Sequence, residues 1–112
     1  MAGKFEIFKD KKGETRFRLK SGNGQIILAS EGYKRKSSCL NGVESVRKNS
    51  QMDDRFERKK TRGGKFMFNL RARNGQVIGT SESYDAEKGR DNGIASVAKN
   101  APGAKLVDTT AD

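Results

Sequence analysis

The chain of 112 residues has no His and no Trp, one Cys and one Pro. Without His it lacks the commonest general base and the commonest metal ligand at neutral pH. Cys39 alone can form neither an internal disulfide nor a cysteine metal cluster, which agrees with a reducing compartment. No cofactor and no metal is therefore expected. Apolar residues amount to only 32% of the chain and mean hydropathy is -0.89, so any core must be thin. Neither end carries an apolar run long enough for a signal peptide or a membrane span. The expectation is a cytoplasmic protein with no membrane contact.

Charge is what the chain does have. Lys and Arg number 24 against 14 Asp and Glu, a formal net charge of +10. An excess of this size attracts polyanions. It is uneven: residues 1–51 hold 12 basic and 5 acidic residues, net +7, while residues 52–112 hold 12 and 9, net +3.

A shift of 51 places lays Asn23-Gly24-Gln25-Ile26-Ile27 on Asn74-Gly75-Gln76-Val77-Ile78. The same shift lays Ser30-Glu31-Gly32-Tyr33 on Ser81-Glu82-Ser83-Tyr84, and Asn41-Gly42-Val43 on Asn92-Gly93-Ile94. Phe5, Phe17 and Leu19 fall on Phe56, Phe68 and Leu70. A gap-free match this long marks a tandem duplication, with repeat 1 at 1–51 and repeat 2 at 52–112. A unit of about fifty residues buries too little surface to stand comfortably alone, so a single shared core is expected.

Within each copy the apolar period changes from two to about 3.6, which reads as three strands and a helix. Arg16-Phe17-Arg18-Leu19-Lys20 alternates, with Phe17 and Leu19 on one face and the three cations on the other. Asn23-Gly24 and Asn74-Gly75 are hairpin turn signals, and the third strands run over 25–31 and 76–82. Cys39, Leu40, Val43 and Val46 take helical spacing, as do Ile94, Val97 and Ala98. Asp85 reads as the N-cap of the second helix, and Lys105-Leu106-Val107 as a short closing strand.

The twice-repeated pattern Asn-Gly-Gln, Ser-Glu-x-Tyr and Gly-(Val/Ile)-x-Ser-Val-x-x-Asn resembles the YegP-like family of uncharacterised small bacterial proteins. The resemblance covers nearly the whole chain. It implies an α+β fold in which two tandem βββα repeats form one antiparallel sheet, with both helices on one face and C-terminal strands exchanged between the halves. It implies no activity.

Candidate sites divide into fold and function. Gly42 and Gly93 fall within helices, where glycine costs about 1 kcal/mol relative to alanine, so close packing is expected there. Tyr33 and Tyr84 follow a Ser-Glu pair, yet no His, paired carboxylates or activated nucleophile accompany them. They read as corner packing, and the chain as a non-enzyme. Asn23-Gly24-Gln25 lacks the glycine spacing of a phosphate loop. The cations are the remaining candidates: Arg16, Arg18 and Lys20 on a strand, Lys34, Arg35 and Lys36 before a helix, Arg47 and Lys48 at its end, and Arg71 and Arg73 in repeat 2. They point to binding of nucleic acid or another polyanion through the sheet face of repeat 1. The alternative is a protein-interaction or small-ligand module using Ile26 and Leu28, read as an exposed apolar patch on a monomer or weakly self-associating chain.

Overall fold

The computed structural model describes residues 3–110. The alternating segments form strands, three in each copy: β1 (Lys4–Lys9), β2 (Thr15–Lys20) and β3 (Ile26–Ala29), then β4 (Phe56–Lys60), β5 (Phe66–Arg71) and β6 (Val77–Thr80). Each trio is followed by a 14-residue helix, α1 (Lys36–Asn49) or α2 (Glu87–Asn100). A single 3₁₀ turn, Asp53–Arg55, joins α1 to β4, and β7 (Lys105–Asp108) closes the chain.

All seven strands lie in one sheet in the order β4-β5-β6-β3-β2-β1-β7. The halves meet at β3 and β6 through the pair Ala29 and Thr80. Every ladder is antiparallel except the last, where β7 runs parallel to β1 with Phe5 opposite Leu106. The duplication explains the exception. By repeat register β7 corresponds to the start of β4, but the place beside β2 is already taken by β1, so β7 can add only outside it. The terminal strand of repeat 2 thus pairs within repeat 1, the exchange that the resemblance implied.

Both helices cover one face. Helix α1 packs on β2, β5 and β6, and α2 packs on β3 and β5, so each helix rests partly on the other copy's strands. Phe5, Ile7, Phe17, Leu19, Phe68 and Leu70 are fully buried beneath them. Phe17 meets Phe5 edge-on at 5.9 Å, and Phe68 meets Phe56 in the same way at 5.6 Å.

The helical glycines seat the tyrosines. A Cβ on Gly42 would stand 2.6 Å from the Tyr33 hydroxyl, and one on Gly93 would stand 2.5 Å from that of Tyr84. The close approach expected at both glycines is therefore to these rings as well as to the sheet beneath. In the hairpins, Gly24 and Gly75 both have φ of 86°, a region open to glycine at little cost.

Three sequence expectations need correction. Leu28 is not part of an exposed patch but is fully buried. A register shift between Leu19 and Lys20 leaves Ile27 as an extra residue, so Leu28 pairs with Leu19 and turns inward beside it, while Ile26 stays opposite Lys20. Asp85 does not cap α2. The N-cap position belongs to Ala86, and the Asp85 carboxylate instead meets Lys65 at 3.3 Å. The third strands are shorter than expected because the Ser30 and Ser81 hydroxyls accept from the N–H groups of Phe17 and Phe68 and interrupt the ladder, which Tyr33 and Tyr84 rejoin at Thr15 and Phe66.

Candidate anion-binding surface

The sheet face opposite the helices carries the alternate residues of β2, which follows directly from placing Phe17 and Leu19 in the core. Its cations are organised around carboxylates. Arg18 donates to Glu6 at 2.8 Å, with Lys20 at 3.1 Å and Lys4 at 3.4 Å from the same group. Three cations surround one carboxylate, a local charge of +2. The Arg18 hydrogen bond, supported by Lys20, holds the Glu6 carboxyl down at about 2. Arg16 pairs with Asp10 at 2.7 Å, and that bond lowers the Asp10 carboxyl in the same way.

Arg18 also lies 4.6 Å over the ring of Phe8, an aromatic of this open face. The ring is thereby covered. The rings of Tyr33 and Tyr84 pack against the core on the helix side.

Other expected cations serve the fold. Lys36 is ion-paired with Asp108 and ties the start of α1 to β7. That bond, with a further one from Thr110, holds Asp108 down at about 2. Arg47 donates to the carbonyls of Ala101 and Pro102 at 3.0 and 3.1 Å while lying 5.0 Å over Phe5. It joins the end of α1 to the end of α2. Arg71 bonds Glu57 at 2.8 Å and the carbonyl of Gly75 at 2.5 Å.

Lys34, Arg35, Lys48 and Arg73 are exposed and, among the described residues, make no ion pair. The fold brings two of them together. Lys48 at the end of α1 and Arg73 in the β5–β6 turn line one cleft of about 630 Å³. Arg55, whose guanidinium bonds the side chain of Asn49, lies in the same wall. Sequence reasoning missed Arg55. The repeat register sets it against Lys4, so both copies carry a cation immediately before the paired Phe5 and Phe56.

Cys39 is fully buried, and burial raises its thiol to about 11. Burial also raises the hydroxyls of Tyr33 and Tyr84. All three are thus held in the neutral form. Among the described residues no group of three or more Asp, Glu or Cys is placed to hold a metal ion, and no helix is long and apolar enough to cross a membrane.

Residues 10–57 and again 62–108 match the family described as Domain of unknown function (DUF1508). The chain belongs to this family. It is 64% identical over 108 residues to a UPF0339 protein in the ptx operon 5' region of Stutzerimonas stutzeri, covering 96% of this chain and 97% of that one. Against the UPF0339 protein YegP of Escherichia coli K12 the identity is 46% over 110 residues, 98% of this chain and all of the relative. The solution structure of Escherichia coli YegP, described as a protein of unknown function, superposes with a TM-score of 0.94 over 100% of this chain and 97% of that one, at 46% identity. That of a UPF0339 protein from Shewanella oneidensis gives 0.92 at 43% identity, over 98% and 93%. The two-repeat α+β architecture is therefore that of the family, whose role is unknown.

Proposed function

We propose that this chain is a cytoplasmic, non-enzymatic domain that binds polyanions weakly and without sequence preference through the uncovered sheet face of repeat 1. The observation that carries this reading is the cluster of Lys4, Arg18 and Lys20 around Glu6, whose net charge of +2 stands on a face that neither helix covers. A phosphate backbone meeting that face would release counterions as the lysines and arginines approach it. Phe8 lies under Arg18 and the tyrosine rings face the helices, which disfavours base stacking as a source of affinity. The ligand class is thus charge-defined.

Fluorescence anisotropy with labelled single-stranded and duplex oligonucleotides across a salt series tests the reading. The logarithm of affinity is expected to fall linearly with the logarithm of salt, by a slope of roughly 0.7 to 0.9 for each phosphate engaged. Changing Arg16, Arg18 and Lys20 together to Gln is expected to flatten that slope while circular dichroism shows the fold intact. Affinity indifferent to salt, or unaltered in the triple variant, would sink the proposal.

A further inference from the structure

The duplication supplies an internal control for the cleft at Lys48. A second cleft of about 550 Å³ stands at the related place, between the β2–β3 turn and α2. The two share their frame. Ser45, Lys48, Asn49 and Asn74 line one, and Ser96, Lys99, Asn100 and Asn23 line the other at the positions 51 residues away. In both, the helix-terminal Asn donates its side-chain amide to the carbonyl and hydroxyl of a Ser one turn earlier: Asn49 at 2.8 and 3.1 Å to Ser45, Asn100 at 2.8 and 3.2 Å to Ser96. These shared groups are what the fold requires.

The cations differ. The Lys48 cleft adds Arg55 and Arg73, giving three basic residues and no acidic one along its walls. Its counterpart has Lys99 alone. At the position of Arg73 repeat 1 has Gly22, so the turn forms without a side chain there. Arg73 is exposed and pairs with no carboxylate among the described residues, and Lys48 likewise. Arg55 is different, because its bond to Asn49 holds the guanidinium at the cleft wall. Asp54 approaches it only at 3.9 Å and is itself largely in water.

We infer that the cleft between the end of α1 and the β5–β6 turn is a binding site for a small phosphate monoester, with Arg73, Lys48 and Arg55 receiving the phosphate. Two guanidinium groups and an ammonium present forked and point-like donors, the combination suited to a phosphate dianion. The volume exceeds what inorganic phosphate needs and falls within the roughly 300–1,000 Å³ of small-ligand sites. Met52 and Ala72 form an apolar wall for the organic part of the ligand. The site is independent of the sheet face, which lies on other residues.

The test is a two-dimensional NMR titration of the full chain with phenyl phosphate at constant ionic strength, with inorganic phosphate and benzoate in separate arms. Saturable shifts are expected at the amides of Ser45, Lys48, Asn49, Arg55, Arg73 and Asn74, and not at Asn23, Ser96 or Asn100. Phenyl phosphate is expected to bind more tightly than inorganic phosphate, and benzoate more weakly than either. Arg73→Gln is expected to weaken binding at least about tenfold, the loss of one hydrogen-bonded charge, while its spectrum elsewhere is unchanged. Equal shifts in both clefts, shifts confined to Glu6 and Arg18, benzoate binding as well as phosphate, or an Arg73→Gln variant with undiminished affinity would each overturn the inference.

Discussion

Leu28 fills the space that a side chain at Gly79 would need. A Cβ built on Gly79 would stand 2.7 Å from the Leu28 side chain, and the two occupy the same position of their respective repeats. They meet where the halves join, on neighbouring strands close to the pair of Ala29 and Thr80. Near a two-fold axis one cavity serves both copies. One large and one absent side chain fill it, whereas two leucines would collide.

The asymmetry makes a reciprocal prediction. Leu28→Ala should leave a cavity and lower stability by about 2–5 kcal/mol, and Gly79→Leu should destabilise by overpacking. The exchange Leu28→Gly with Gly79→Leu should be more stable than the sum of its single changes. Denaturant melts of the unchanged chain, Leu28→Gly, Gly79→Leu and the exchange give the coupling energy, and strict additivity would contradict shared filling.

Helix propensity alone says that Gly42→Ala or Gly93→Ala should stabilise a helix by about 1 kcal/mol. The opposite is expected here, because the added methyl would press on the Tyr33 or Tyr84 hydroxyl at 2.6 or 2.5 Å. Tyr84→Phe combined with Gly93→Ala should recover part of the loss. A Gly93→Ala chain with a higher melting temperature would refute the account.

Acid should unfold the protein through the carboxylates that hold its cations. Glu6 is lowered from its ordinary 4.5 to about 2, and Asp108 from 3.8 to about 2. A folded-state value below the unfolded one contributes stability that is full above the unfolded value and is lost as pH falls toward the folded one. Melting temperature should therefore decline between pH 4.5 and pH 2. Glu6→Gln should flatten that decline, and an unchanged profile in the variant would refute the role given to Glu6.

The Cys39 thiol, fully buried and raised to about 11, should resist alkylation in the folded chain at pH 8. Modification should become fast only in denaturant. Mass spectrometry after timed iodoacetamide exposure measures this, and rapid labelling of the native protein would contradict the burial.

Much of the candidate surface was readable in the sequence. Alternation in β2 put Arg16, Arg18 and Lys20 on one face, and the structure places them there. Their partners were not readable, since Glu6 comes from β1 through a pairing that joins Glu6 to Arg18. The cleft was less visible still. Lys48 and Arg73 stand in different repeats, and only the seating of α1 across the other copy's strands brings them to one wall.

The sequence by itself determined the duplication, the order of strands and helix in each copy, the turn glycines and the identity of most core residues. These rest on local periodicity and on backbone conformations that nearest neighbours dictate. Tertiary structure decided the rest. Whether Leu28 faces in or out depends on one extra residue opposite Lys20, and the parallel course of β7 depends on β1 already occupying the place beside β2. Both are set by competition for space among segments distant in the chain, which a local pattern does not record.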